Sequence, residues 1–155
     1  SAGASRVAVA VGHGDRAGAR RAGWATFCLA WLLAIGAGCF ILSADTWIVA
    51  RYTSDPEVAQ WALRFLVCAA AFQLFDMTQG AGFGVLRGAG DTRVPATFNI
   101  VGYWVVGLPL ASWLVFGLER DPTWLWWGLM AGLVTISALL LARFQQTLPP
   151  VRDNA

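Results

Sequence analysis

The sequence predicts an all-α, polytopic membrane protein with about four complete transmembrane helices and part of a fifth, on three observations. Hydrophobic residues make up 57% of the 155 residues and charged ones only 13%, whereas a soluble domain carries roughly 25% charged residues. Mean hydropathy is +0.58. Four runs (residues 22–44, 57–86, 94–118 and 123–142) are long enough for a hydrocarbon core, which takes about 20 apolar residues. Three of them carry no charge at all. Trp24, Trp47, Trp61, Trp124, Trp126 and Trp127 stand near the ends of the runs, where interfacial aromatic belts form. A soluble reading would require several long uncharged helices in one small domain, against usual helix lengths.

The chain opens on a mildly apolar piece, residues 1–11, too short to span. It reads as the tail of a helix begun upstream, with no signal-peptide pattern. Gly12-His13-Gly14-Asp15 makes a turn, and the basic segment that follows completes a predicted cytoplasmic loop ending at residue 21. The Gly-x-Gly is not a phosphate loop, because no strand precedes it and the full spacing is absent. His13 is the sole histidine and reads as a solvated loop residue.

The first span, 22–44, carries Cys28 and Cys39; with Cys68 these lie at membrane depth. No spacing suggests zinc, so they read as small apolar residues and no metal site is predicted. Residues 45–60 form a connector. Within it, Ser54 or Asp55 followed by Pro56 and Glu57 is a helix N-cap with proline in the first position.

The second span, 57–86, holds Asp76 in an otherwise apolar stretch. A charge at the bilayer centre costs roughly 2.5–3.5 kcal/mol on insertion scales. Along a helix, Arg87 is about 16 Å away and Arg64 about 18 Å, so neither reaches it. Asp76 must be protonated, meet a partner on another helix, or bind a small cation. Gln73, Asp76 and Gln79 recur every three residues as one polar stripe, read either as interhelical bonding or as a site. A neutral Asn would serve bonding alone, so the carboxylate points to function. Gly80, Gly84 and Gly88, with Gly82 between, suit close packing or a bending half-helix.

Residues 87–95 read Arg-Gly-Ala-Gly-Asp-Thr-Arg-Val-Pro: glycines to end one helix, Asp91 or Thr92 to cap the next, Pro95 in its first turn. The third span, 94–118, holds Asn99, Tyr103, Trp104 and Pro109. Pro109 cannot donate to the carbonyl of Val105, which predicts a kink. The fourth span, 123–142, has only Thr135 and Ser137 as polar members and reads as a packing helix. Residues 143–155 are a predicted cytoplasmic tail, disordered from Leu148-Pro149-Pro150 onward.

Charge then orients the chain. Eight of eleven arginines (6, 16, 20, 21, 87, 93, 143 and 152) fall on one side of the spans. Arg51, Arg64 and Arg120 fall on the other, with Asp45, Asp55, Glu57, Glu119 and Asp121. The positive-inside rule puts both ends of this segment in the cytoplasm. The arginines are scattered over short loops without interleaved aromatics, so nucleic acid is not a predicted partner. Acid–base catalysis is not predicted either, for no His, Lys, second intramembrane acid or metal-ligand pair accompanies Asp76.

Phe72-Gln73-Leu74-Phe75-Asp76, then Gln79, then Leu86-Arg87-Gly88-x-Gly90-Asp91-Thr92-Arg93-x-Pro95, then Gly102-Tyr103-Trp104-x-x-Gly107-Leu108-Pro109-Leu110 form a linked set. In order and spacing it resembles the tenth and eleventh helices of the twelve-helix multidrug and toxic compound extrusion (MATE) transporters, in particular the NorM-like ones. Arg6-Val7, Gly12, Gly14-Asp15 and Arg20-Arg21 are similar to the end of helix eight and its basic loop, though Ala8 and Val9 depart from that pattern. The resemblance implies cation-coupled export of organic cations or drugs by two six-helix lobes that rock about a central cavity. It implies that Asp76 belongs to a cation site (proton or sodium) in the C-terminal lobe, with a glutamate partner from helix seven. Gln73, Gln79, Asn99, Tyr103 and Pro109 are then supporting or cavity residues. Residues 1–155 become part of a C-terminal lobe in a plasma (bacterial inner) membrane. The lipid bilayer, small organic cations, and the N-terminal lobe and helix seven of the full-length chain are its partners; no cofactor beyond the coupling ion is implied. Phe72, Phe75, Phe83, Tyr103 and Trp104 either line an apolar pocket or face lipid. A lipid-linked-oligosaccharide flippase of the same superfamily and a non-transporting scaffold, in which Asp76 would tolerate Asn, stay open beside the antiporter.

Overall fold

A computed structural model describes residues 2–148; Arg152 and the rest of the tail from residue 149 lie outside the described residues. Four helices are long and apolar enough to cross a membrane: Arg16–Ser43, Pro56–Gly88, Arg93–Gly117 and Thr123–Thr147, hereafter the first to fourth spans. A short helix, Ala2–Gly12, precedes them, and another, Asp45–Ala50, sits in the first connector. The first span therefore begins inside the segment expected to be a basic loop. Asp15 explains the early start, since its carboxylate accepts the Gly18 N–H at 2.7 Å and caps the helix. Alanines and arginines behind it are strong helix formers. The fourth span likewise runs past residue 142, so Arg143 to Thr147 are helical rather than tail.

Asp55 caps the second span as expected, accepting the N–H groups of Glu57 and Val58 with Pro56 in the first position. The other end closes at Gly90, which takes φ +85°, a left-handed conformation that costs glycine little. There Gly90 N–H bonds the Arg87 carbonyl and Asp91 N–H the Leu86 carbonyl, the paired terminal bonds that satisfy a helix end. Thr92 stands at the next N-cap without a side-chain cap bond, and Asp91 is spent elsewhere: it accepts Arg143 Nε at 2.7 Å. Neither therefore supplies the expected side-chain cap.

The third span is not one regular helix. Residues Val101–Gly107 and Trp113–Gly117 are wound as π-helix around a short α-helical stretch, Leu108–Ser112, which contains Pro109. Leu108 N–H reaches back to the Tyr103 carbonyl, five residues away. The proline's missing N–H and its ring, which crowds the carbonyl four residues earlier, fit beside a widened turn.

The second span packs between the first and the fourth, and the fourth lies between the second and the third. Helix Ala2–Gly12 rests on the first and second spans. The buried core (Val7, Ala19, Phe27, Val85, Leu86, Leu140, Phe144) gathers at the end that carries the 88–92 turn, here the basic end. Trp24 joins it, its ring 5.4 Å from that of Phe144. At the opposite, acidic end, each arginine lies over a tryptophan: Arg51 on Trp47 (5.2 Å), Arg64 on Trp61 (5.0 Å), Arg120 on Trp124 (5.6 Å). Nearby, Asp121 accepts the Thr123 hydroxyl and N–H, which hold its carboxyl below the ordinary 3.8.

Candidate functional site

One turn of the second span, residues 75–79, is bonded by all three other spans. From the first, Trp31 Nε1 donates to Thr78 Oγ1 at 2.8 Å. From the fourth, the Ser137 hydroxyl donates to the Phe75 carbonyl at 3.0 Å. From the third, Asn99 Oδ1 accepts Gln79 Nε2 at 2.7 Å, and the Tyr103 hydroxyl donates to Gln79 Oε1 at 3.3 Å. Each is a side-chain bond made where water is scarce, so each restrains the turn's position and rotation. The turn is girdled.

Asp76 sits in the middle of that turn and faces outward, exposed on the surface of the four-span unit. None of the described side chains or backbone groups donates a hydrogen bond to it. The three polar residues that formed one stripe in sequence part here, because a three-residue step turns back about 60° on a 100°-per-residue helix. Gln79 is buried, Gln73 half-buried and Asp76 open. The arrangement presents one carboxylate, on a rigid turn, to whatever lies beyond this face. A cation or proton is the chemistry such a group takes.

Of the residues picked from sequence, Gln79, Asn99 and Tyr103 come together. Gln73 takes no part in the girdle, and Pro109 is exposed on the third span beyond the π-wound stretch. The aromatic residues do not converge on one pocket. Phe72 packs edge-on against Trp126, Phe75 lines an apolar groove among the first, second and fourth spans with Trp31, Ile35, Leu74 and Leu141, and Trp104 is exposed. Sequence reasoning missed three members of the girdle. Thr78 lies within the 73–79 stretch that holds the polar stripe, and Ser137 was noted only as a polar member, with Thr135, of a packing helix; nothing in the sequence marked Trp31 as a bonding partner.

Close packing around the girdle uses glycine. A methyl group on Gly132 would strike the Gly102 carbonyl and lie 2.9 Å from Gly107 Cα, so the third and fourth spans touch backbone to backbone. On the second span, Gly82 meets Leu140 and Gly88 meets the Ala4 carbonyl, whereas Gly80 has open space.

The MatE family profile matches residues 1–113. A probable multidrug resistance protein NorM of Xanthomonas campestris is 42% identical over 143 residues, 92% of this chain and 31% of that protein. Multidrug resistance protein NorM of Burkholderia vietnamiensis is 38% identical over 144 residues, covering 90% of this chain and 31% of its own length. The crystal structure of the eukaryotic MATE transporter AtDTX14 superposes with a TM-score of 0.84 at 25% identity, over 95% of this chain and 34% of that one. The chain thus spans about a third of the length of the curated relatives it matches.

Proposed function

Because the chain belongs to the MatE family, we propose that it is the C-terminal-lobe part of a cation-coupled antiporter that exports organic cations or drugs. In this reading residues 1–155 work with the other spans of a longer protein, in a bacterial inner membrane. Both ends of the segment are cytoplasmic, a placement the arginine distribution supports. The observation that carries the mechanism is Asp76: a lone carboxylate in a membrane-spanning helix, exposed on a turn held by three neighbouring spans.

The coupling follows from that carboxylate. Desolvation favours its neutral form, and an adjacent cation favours its charged form. As its face opens to one side of the membrane or the other, a proton or sodium ion and an organic cation compete for one negative charge. Each then lowers the other's affinity, and alternating exposure converts the ion gradient into efflux. Gln79, Asn99 and Tyr103 hold the turn; Gln73 and Pro109 act as cavity residues on the adjoining faces.

The test is Asp76→Asn in the full-length protein, read as cationic-dye efflux from vesicles under an imposed proton or sodium gradient and normalised to inserted protein. Abundance should survive while gradient-driven efflux collapses, and Asp76→Glu should keep partial activity with a shifted ion dependence. Wild-type coupling in the Asn variant would overturn Asp76 as the coupling carboxylate.

A further inference from the structure

We propose that an apolar groove at the acidic end of the second span seats the body of the exported cation, and that Phe65 and Trp126 determine which cations fit. The cargo it selects is an amphipathic organic cation whose apolar body reaches about 10 Å from its charge. The inference rests on the antiporter reading of Asp76 and adds the shape of the substrate.

The groove has a volume of about 450 Å³, within the range of small-molecule sites. Val58, Ala62, Phe65 and Ala69 of the second span line it, with Tyr52 of the connector and Trp126 of the fourth span. Among the described residues, none that lines it is charged.

Three observations join this groove to Asp76. The first is helical register. At about 100° per residue, the four second-span residues fall within about 40° of a line that runs on through Phe72 and Asp76. Gly80 continues the same face, and a methyl there would meet nothing within 4 Å. The second is aromatic continuity. The Trp126 ring lies 6.0 Å from that of Phe65 and 6.4 Å from that of Phe72, which stands one turn before Asp76. The third is charge. Asp76 is exposed at the foot of this face, about 10 Å along the axis from Ala69. Arg64 is turned about 120° away from the line and lies over Trp61 at 5.0 Å.

The path therefore leads from apolar surface, along aromatic rings, to one negative charge. Aromatic faces attract a cation and also pack against an apolar body. An anion would be repelled at the foot, and a lipid chain would gain nothing from the carboxylate. Charge complementarity thus selects an organic cation. Asp76 binds its head, while Phe65 and Trp126, remote from that charge, measure its body.

The test uses the full-length transporter and efflux of tetramethylammonium and 4-phenylbutyltrimethylammonium from vesicles under an imposed gradient, normalised to inserted protein. The two probes share a charged head and differ in the body. Phe65→Leu and Trp126→Leu should each lower the selectivity for the phenylbutyl cation, as the ratio of kcat/KM values, about five- to ten-fold. Phe40→Leu, an exposed aromatic of the first span outside the groove, should keep the ratio. With the native cysteines replaced, Ala62→Cys should react with a water-soluble thiol reagent, and the phenylbutyl cation should protect it better than tetramethylammonium. A ratio that stays at the wild-type value in either leucine variant, with coupling lost in Asp76→Asn, would overturn the groove and leave the antiporter intact. No reaction at Ala62→Cys without a probe would mean that lipid or another span fills the groove, and would overturn it equally. Coupling retained in Asp76→Asn would remove the antiporter reading and this one with it.

Discussion

Asp91 and Arg143 form an ion pair at 2.7 Å, with side-chain exposures of 13% and 35%. The pair ties the turn after the second span to the end of the fourth, 52 residues later. Arg20 adds a second tie there, donating to the Leu148 carbonyl at 3.1 Å. A pair this sheltered stands between exposed bridges, which contribute little, and buried ones, whose disruption is costly. Asp91→Asn should therefore lower stability by about 1–2 kcal/mol. Thermal melting in detergent checks it, and adding Arg143→Gln should cost less than the sum of the single changes. Sequence alone offered Asp91 as a helix cap, a local role that its composition and position suited. Nothing local marks Arg143 as its partner. Asp76 was legible for the opposite reason, since a carboxylate in an apolar run stands out without any knowledge of its neighbours.

At the level of the element, the third span differs most from its sequence reading. Pro109 predicts a break at the carbonyl of Val105, and the chain instead widens into π-helix before it. A π-turn adds a residue per hydrogen-bonded ring and rotates the helix beyond it, a change that hydrophobic periodicity over so few residues does not resolve. Gly102 and Gly107 could be read as packing residues, but not their shared contact with Gly132 on the next span. Gly132→Ala should force those backbones apart and cost about 1–3 kcal/mol, as overpacking does. Gly36→Ala is the control: a methyl there meets nothing within 4 Å, and melting should not fall. Equal loss in both variants would show that the crossing is looser than its contacts.

Over the whole molecule, the spans pack in the order first, second, fourth, third, which brings every other span to the turn at Asp76. The ends separate by charge as well, with Arg143 meeting Asp91 at one and three arginine–tryptophan pairs at the other. Orientation across the bilayer is tested on the full-length protein with Cys28, Cys39 and Cys68 replaced. New cysteines at residues 55–57 should react with an impermeant reagent from outside, and those at 88–91 should react only after permeabilisation. The reverse pattern would invert the proposed topology.

The number of spans, their approximate limits and the family likeness were determined by sequence, because they depend on composition along the chain; the sidedness of the loops and the role of Asp76 are proposals read from the same string. A bilayer imposes length, polarity and charge rules that a linear string displays directly. Helix order, the girdle of Trp31, Thr78, Ser137, Asn99 and Tyr103, and the Asp91–Arg143 tie were decided only by the tertiary structure. Apolar helices of similar length pack in several orders with similar burial, so hydrophobicity does not choose among them. Glycine backbone contacts and a few directional hydrogen bonds specify the order, and both exist only once the spans have met.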